Sequence, residues 1–490
     1  MGTLPQDLEK ARVQICKEAK DIGLDFYETI FELVTYKQLN EIAAKGGFPV
    51  RYPHWRFGMD FEQLSRSYEF GLSKIYELVI NNDPCYAYLM EGNDFVDQKL
   101  VMAHVYAHCD FFKNNLWFSQ TNRKMIDKMA NHSVRIRRYI DDMGIDVVED
   151  FIDKCLSLEN LIDAYSVYKK RPTPKRTLEN FMRPVDLKAQ RDSEYAEVKP
   201  RRDVLKFLLE FAPLEEWQYD VLNIIREEAY YFAPQAMTKI MNEGWASYWH
   251  AKLMTEKILH DCEIIDFADR HSGALVMPPS GFNPYKIGIE LFRTIEQRWN
   301  RGQFGKEWSE CDDLVAKKNW DTKTGLGRDK IFQVRRDYND VTFIDEFLTE
   351  EFCHEHKMFV YKFNKRTGQF EVDNRDFSVI KKKFLFQITN MGMPIISVVD
   401  GNFNGKGELL LTHLFEGVEM QPDYMKATME NLHFVWKKPV HLATVMDGEG
   451  RIYSWDGQEF RNSPFSEISS AEPGVPATEA DQEEDKADKS

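Results

Sequence analysis

Apolar residues recur at helical spacing through the first 350 residues of the chain. One stripe, beginning at Leu8 and Ala11, predicts continuous helix over residues 4–44, ended by the glycines at 46 and 47. The same spacing predicts a helix over 61–80, two or three helices within 121–168, and two long helices opened by Pro213 and Pro234. The N-terminal part is therefore predicted to be mainly α.

From residue 358 onward the apolar residues alternate, which is the spacing of strands. Strands are predicted over MFVYKF, QFEV, FLFQIT, PIISVVD, ELLLTHLF and HLATVMD, separated by turn sequences such as DGNFNGKG. The segment PDYMKATMENLHFVWK is predicted to be helical. The predicted fold class is a mainly α N-terminal domain, residues 1–350, followed by a smaller α+β domain with an antiparallel sheet, residues 351–462.

Two segments lack the apolar residues that a core needs. Residues 169–202 are rich in basic residues and contain four prolines. We expect them to be an exposed excursion within the N-terminal domain, because helical spacing resumes at Asp203. Residues 463–490 contain eight acidic and two basic residues, which predicts a disordered acidic tail.

Composition and charge narrow the class of protein. The chain has 490 residues, is 43% hydrophobic and carries a formal net charge of −16, which argues against a general nucleic-acid binder. No run of about 18 uncharged apolar residues occurs, so we expect no membrane span. The N-terminus has no apolar signal core, which predicts a cytoplasmic protein. Seven scattered cysteines without a CxxC pair argue against a disulfide framework.

The candidate chemistry is concentrated in residues 98–118, QKLVMAHVYAHCDFFKNNLWF. Apolar and aromatic residues cover nearly the whole circumference of this predicted helix, so it belongs in the protein interior. His104 and His108 are spaced i, i+4 and project from one face, as two ligands of one metal ion require. The alternative is that both are hydrogen-bonded core residues, since histidine is intermediate in its burial preference.

A second predicted helix, the one opened by Pro234, carries Glu243 and His250 seven residues apart and therefore on one face. Glu243 lies among large apolar residues, where a carboxylate needs a partner. It is a candidate metal ligand, and the alternative is an ion pair on the helix surface. For His250 the competing interpretation is a packed core position.

Four segments carry a resemblance to a known family: HVYAHCDFFKNN, DPCYAY, YYFAPQAMTKIMNEGWASYWH and NPYKIGIELFRTIEQRWNRGQFG. They resemble the signature blocks of the stage V sporulation protein R (SpoVR) family and are spread over nearly the whole chain. The resemblance implies a bacterial cytoplasmic protein, linked in spore formers to making the spore cortex. In other bacteria it implies an association with a serine kinase of the PrkA type.

A second resemblance concerns chemistry. HVYAH followed by NEGWASYWH is similar to the gluzincin metallopeptidases, in which HExxH supplies two zinc-ligating histidines and a later helix supplies a glutamate. Carried over to this chain, the resemblance implies a gluzincin-like helical core in which His104, His108 and Glu243 hold zinc. The general-base glutamate of those enzymes is replaced by Val105, which cannot accept a proton.

Another residue must then act as the base if the chain is a hydrolase. Glu228, Glu227 and Asp110 are the candidates, and we assign the role to Glu228 if the fold brings it close to the histidines. His250 is the candidate for stabilising an oxyanion.

The sequence is compatible with two functions. The first is a zinc-dependent hydrolase acting on peptide or amide bonds, with a peptide or peptidoglycan-related substrate. The second is a non-catalytic partner or regulator of a PrkA-type serine kinase in sporulation or stress, in which the same histidines and glutamate are structural. A di-metal oxidoreductase is disfavoured because the ExxH motifs of ferritin-like sites are not visible.

Overall fold

The computed structural model describes residues 4–69, 77–168, 201–278 and 281–465. These residues form two compact units, the first within 4–168 and 214–393 and the second within 201–213 and 394–465. Residues 351–393, which the sequence analysis assigned to the C-terminal domain, pack in the first unit. Most of the predicted basic excursion (169–200) and most of the predicted acidic tail (466–490) lie outside the described residues.

The first unit is mainly helical, as the spacing of its apolar residues predicted. None of the described helices is both long and apolar enough to cross a membrane. In chain order the described helices are α1 Gln6–Asp21, α2 Tyr36–Ala44, α3 Trp55–Glu69, α4 Phe95–Asn114, α5 Met125–Met143, α6 Ile145–Ser157, α7 Val204–Phe211, α8 Glu216–Met237, α9 Lys239–Leu253, α10 Ile264–Ala274, α11 Pro284–Asn300, α12 Gly305–Ser309, α13 Leu314–Lys318, α14 Gly327–Asp337, α15 Asp340–Phe347, α16 Glu350–Glu355, α17 Phe377–Ile388 and α18 Pro422–Trp436.

The described strands form three sheets. They are β1 Thr29–Val34, β2 Glu77–Ile80, β3 Cys85–Met90, β4 Val360–Asn364, β5 Gln369–Asn374, β6 Ile396–Phe403, β7 Glu408–His413, β8 Val440–Met446, β9 Glu449–Trp455 and β10 Phe460–Pro464. A three-stranded sheet in the order β1-β3-β2 lies in the first unit, where β1 is parallel and β2 antiparallel to the central strand. The hairpin β4–β5 also belongs to that unit.

The small sheet contradicts two of the predicted helices. The helix predicted over 4–44 ends at Asp21, and the apolar run TIFELV forms β1. The helix predicted over 61–80 is described as helix as far as Glu69, and the last residues of the predicted range, 77–80, form β2. Short apolar runs fit both periods, and here pairing with β3 decided in favour of strands.

Two further predictions were wrong at the level of single elements. Pro234 lies inside α8 and does not open the next helix, which begins at Lys239. The segment FLFQIT, predicted as a strand, belongs almost entirely to α17, whose N-terminus is capped by the side chain of Asp376. Phenylalanine alternates with other residues in this segment, which is the pattern of a strand. In the structure, however, the buried residues are Ile380 and Phe384, which have the i, i+4 spacing of a helix.

Helix α4 lies at the centre of the core of the first unit and packs against α1 and α9. Almost every residue from Val96 to Phe112 is buried, so the predicted interior helix is confirmed. Helix α9 in turn packs closely against α11, where a Cβ on Gly244 would overlap the backbone of Gly288. The glycine pair therefore lets the two helix backbones touch, and this fixes the position of the residues beside them.

The second unit is built around a five-stranded sheet in the order β10-β9-β8-β7-β6. Strands β7 and β8 are parallel, and the other neighbouring pairs are antiparallel. The parallel pair needs a crossover, which α18 provides as it packs on β8. The predicted class, a mainly α part followed by a smaller unit with an antiparallel-rich sheet, is confirmed.

Candidate metal centre

Helix α4 brings His104 and His108 together inside the first unit. Their side chains are only 3% and 4% exposed, and the ring centroids lie 4.5 Å apart with an interplanar angle of 84°. This is the arrangement that the i, i+4 spacing predicted. Two imidazoles side by side in the interior need polar partners, because burial without them costs free energy.

Two carboxylates from other elements complete a group of four, which we call the metal group: Glu77, His104, His108 and Glu243. One ligand atom from each residue lies within 4.8 Å of the others. Glu243 Oε2 is 3.5 Å from the Nε2 atom of each histidine. The predicted partner of the two rings therefore lies next to both of them. Glu77 Oε1 is 3.1 Å from His104 Nε2 and 3.8 Å from His108 Nε2.

Glu77 was not predicted from the sequence. This residue begins β2, in the segment that was assigned to a helix, and β2 reaches α4 only through the folding of the small sheet. The local signal is a single acidic residue at the start of the apolar run ELVI. Such a position is common on exposed strand ends, so local sequence does not mark it as a ligand.

The four distances between an imidazole nitrogen and a carboxylate oxygen in the metal group fit one ion. Metal bonds of about 2.0–2.1 Å in a tetrahedron place ligand atoms about 3.3 Å apart. The distances of 3.1, 3.5, 3.5 and 3.8 Å in the metal group lie around that value. His104 Nε2 and Glu243 Oε2 are buried and have no hydrogen-bond partner of good geometry among the described residues. A cation between them would satisfy both atoms, because the Glu243 oxygen and the Nε2 atom of a neutral His104 each offer a lone pair.

The electrostatics of the metal group couple its four members. Burial opposes the ionisation of Glu77, but the neighbouring His104 and His108 outweigh it and lower the pKa of Glu77 to about 2. Burial likewise disfavours a charged His108, but Glu243 and Glu77 raise the pKa of His108 to about 10. The pKa of His104 is also raised, since Glu77 outweighs its burial. Without a metal, the two carboxylates therefore hold protons on the two rings.

Each histidine of the metal group also has a partner on its other ring nitrogen. His108 Nδ1 lies 2.9 Å from Asn242 Oδ1, and His104 Nδ1 lies 2.7 Å from His250 Nδ1. His250 Nε2 lies 2.9 Å from His271 Nδ1 on α10. Outer partners of this kind orient metal-binding imidazoles and leave Nε2 facing the metal.

His250 therefore lies behind His104 and is not one of the four residues of the metal group. Burial and the neighbouring His104 and His271 lower the pKa of His250 well below its usual range. Burial and the nearby Arg293 lower the pKa of His271 to about 4. Both rings are thus neutral near pH 7, and a neutral imidazole has one donor and one acceptor nitrogen.

The structure places Glu228 in a different cluster. Its carboxylate is 2.6 Å from Arg51 Nη2 and 3.1 Å from His132 Nδ1, and neither partner belongs to the metal group. Glu227 pairs with His132 and Lys128 at 3.2 and 3.1 Å. Asp110 accepts hydrogen bonds from Trp245 Nε1 and the Asp25 backbone, each 2.8 Å long. All three residues considered as the base are engaged away from His104 and His108.

A cavity of about 680 Å³ adjoins the metal group. Glu77 and His104 line it, together with His250, His271 and Tyr285. Burial and the carboxylates of Glu243 and Glu77 raise the pKa of the Tyr285 phenol, so this hydroxyl stays protonated. Arg270, on the same wall, is held by Asp94 at 2.8 Å and by Asp97. The metal group is thus reached from the side of Glu77.

Comparisons with known proteins cover most of the chain. An uncharacterized protein of Escherichia coli K12, YcgB, is 28% identical over 470 residues, which are 88% of this chain and 90% of YcgB. No solved structure matches the chain, and the gluzincin-like core stays a prediction. The model of the family described as SpoVR like protein matches residues 3–393, and that of the SpoVR-like C-terminal domain matches 394–447. The chain therefore belongs to the SpoVR-like protein family.

Proposed function

We propose that this SpoVR-like protein is a metal-dependent hydrolase of peptide or amide bonds, with zinc in the metal group. One observation carries the proposal: four ligand atoms from α4, α9 and β2 converge within 4.8 Å at the wall of a cavity. Imidazole nitrogens and carboxylate oxygens are donors that zinc accepts. A bound zinc ion would polarise the scissile carbonyl and make water a better nucleophile.

Three residues are proposed as permanent ligands. His104 and His108 offer Nε2, and Glu243 offers Oε2, while Lys239 lies 3.5 Å from the other oxygen of Glu243. A catalytic zinc site typically has three protein ligands and an open fourth position. Of the four residues in the metal group, Glu77 and His104 line the cavity, so Glu77 occupies the side from which water and substrate enter.

We assign the role of general base to Glu77, in place of Glu228. Val105 is fully buried and cannot take a proton, whereas Glu77 Oε1 already lies against both ligand imidazoles. In the proposed reaction Glu77 accepts a proton from the attacking water, whose oxygen bonds to the carbonyl carbon. The C–N bond then breaks, and Glu77 returns the proton to the leaving amine. Tyr285 donates a hydrogen bond from its phenolic O–H to the carbonyl oxygen as that oxygen becomes negative.

Membership in the SpoVR-like family supports a sporulation-associated protein. A peptide or peptidoglycan-related substrate fits that setting, because the spore cortex contains amide-linked peptides. Association with a PrkA-type serine kinase stays a prediction of the family resemblance, and no contact in the described residues favours it.

The test combines metal content with activity. The full chain is purified without added metal, analysed for zinc, manganese and iron, and incubated with peptides and peptidoglycan stem peptides, with products followed by mass spectrometry. We expect about one zinc ion per chain and hydrolysis that a chelator abolishes. Glu77→Gln should retain zinc and lose hydrolysis, because the three permanent ligands remain and glutamine cannot accept the proton.

His354→Ala is the control for the removal of a histidine, since His354 is half exposed and outside the metal group. It should leave both metal and activity unchanged. Absence of any bound metal from the wild-type chain, after growth and after incubation with zinc, would refute the proposal. Zinc binding without hydrolysis of any amide tested would limit the site to a structural role.

A further inference from the structure

Three histidine rings from different helices form a hydrogen-bonded chain that ends at the cavity wall. His104 Nδ1 contacts His250 Nδ1 at 2.7 Å, and His250 Nε2 contacts His271 Nδ1 at 2.9 Å. We propose that His250 is a positioning residue that accepts the Nδ1 hydrogen of His104 and donates its own Nε2 hydrogen to His271, and that it thereby sets the affinity of the metal group. This inference rests on the proposed metal site.

The positions of the hydrogens follow from counting donors and acceptors. If His104 binds metal through Nε2, the Nδ1 atom of its neutral ring carries the hydrogen and donates it. His250 Nδ1 must then accept, so the hydrogen of the neutral His250 ring is on Nε2. That hydrogen points at His271 Nδ1, which accepts it at 2.9 Å. Two assignments satisfy both contacts, and only this one leaves His104 Nε2 with its lone pair toward the metal group.

His108, the other proposed ligand, has a simpler outer partner than His104, and the comparison shows the part that His271 plays. His108 Nδ1 faces the amide oxygen of Asn242 at 2.9 Å, and an amide oxygen can only accept. Asn242 therefore fixes the His108 tautomer without assistance. His250 offers a ring nitrogen that could donate or accept, and it accepts from His104 only in the tautomer whose Nε2–H donates to His271. Ligand His104 thus depends on two residues where His108 depends on one.

The test uses two amide side chains that differ in reach. In His250→Asn the side-chain oxygen can occupy the place of Nδ1 and accept from His104. In His250→Gln the oxygen lies near the place of Nε2, one bond farther, and His104 loses its acceptor. Zinc affinity is measured by competition with a chromophoric chelator. The visible absorption spectrum of the cobalt-loaded full chain is recorded as a second measurement. Circular dichroism of the metal-free variants monitors folding.

We expect His250→Asn to bind zinc within a few-fold of wild type, and His250→Gln to bind about 10–100-fold more weakly, the usual range for outer-sphere changes. The cobalt spectrum should be retained by His250→Asn and altered by His250→Gln. His271→Leu, a change at a half-buried position, should weaken zinc binding less than His250→Gln, because His250 loses only the acceptor of its Nε2 hydrogen.

Equal zinc affinity of wild type, His250→Asn and His250→Gln would overturn the inference while leaving the proposed function intact. If His250→Gln does not fold, a loss of affinity in folded His271→Leu supports the inference, and unchanged affinity there overturns it. If the wild-type chain binds neither zinc nor cobalt, both the inference and the proposed function fail.

Discussion

Two buried clusters of histidine and glutamate lie in the first unit, and they are neutralised differently. One of them, which we call the arginine cluster, consists of Arg51, His132, Glu227 and Glu228. In it the guanidinium of Arg51 contacts Glu228 at 2.6 Å, and Lys128 contacts Glu227 at 3.1 Å. In the metal group, two carboxylates face two imidazoles, and Lys239, which is 60% exposed, reaches only the outer oxygen of Glu243. The first cluster contains its own cations, whereas the four residues of the metal group include no permanent cation.

The comparison separates a structural cluster from a candidate site. Permanent cations balance the carboxylates around Arg51 at any pH at which the protein is folded. The metal group depends instead on protons held by His104 and His108, and a divalent cation can displace them. Buried histidine beside glutamate is therefore not sufficient to indicate a metal site, and the missing permanent cation is the distinguishing feature.

The largest expected effect is the loss of metal on removal of a ligand. His108→Ala should lower zinc affinity by more than about 100-fold, because two remaining permanent ligands hold the ion poorly. His132→Ala removes an equally buried histidine from the arginine cluster and should keep its zinc. Zinc content after dialysis against a weak chelator measures both. Loss of zinc from both variants alike would show that the two clusters do not differ in the way we infer.

Arg51→Met should have the opposite profile. It leaves Glu228 buried without its cation, and breaking a buried ion pair from one side typically costs about 3–5 kcal/mol. Urea unfolding followed by circular dichroism should show this loss of stability. Zinc per folded chain should be unchanged, and a parallel loss of zinc from the folded protein would mean that the arginine cluster supports the metal group.

Gly244→Ala tests the helix contact that positions Glu243. The added Cβ would overlap the Gly288 backbone, and overpacking of this kind costs about 1–3 kcal/mol. The shift of α9 away from α11 should also lower zinc affinity. Gly58→Ala is the matched control, because Gly58 is an exposed helical glycine with open space around its Cα. Both variants are compared by thermal unfolding and chelator competition, and equal behaviour would exclude a role for the glycine contact.

The smallest expected effect is a dependence of zinc affinity on pH. The pKa of His108 is raised to about 10 in the metal-free protein, so zinc must displace its proton at pH 7. Affinity should therefore increase with pH, by about tenfold per unit for each proton displaced. Calorimetry in buffers of different ionisation enthalpy measures the proton release. Zinc binding without proton release would contradict the assignment of His108 as a ligand.

The same raised pKa predicts how the metal-free protein responds to pH. Because the folded pKa of His108 exceeds its unfolded value of about 6.5, folding takes up a proton between these two values. The stabilisation is complete below about pH 6.5 and is lost as the pH rises through about 10. Urea unfolding of the metal-free chain across this range, compared with His108→Ala, isolates the contribution.

Local sequence was informative where one element carries the pattern. The i, i+4 pair His104 and His108 and the all-round apolar surface of α4 are properties of a single helix, so both were predicted before the fold was known. The pairing of Glu243 with the two rings was also predicted, but through resemblance and not from spacing. The predicted secondary structure was wrong where a short apolar run fits both the helical and the strand spacing, as in β1 and α17.

The sequence by itself determined a buried helix with two imidazoles on one face, a mainly α first part and a strand-rich second part, because these follow from periodicity within short segments. The tertiary structure alone decided that Glu77 joins the histidines, that Glu228 pairs with Arg51, and that His250 stands behind His104. Glu77 lies 27 positions before His104, and His250 lies 146 positions after it. Contacts over such separations depend on how helices and strands pack, and no local period encodes that packing.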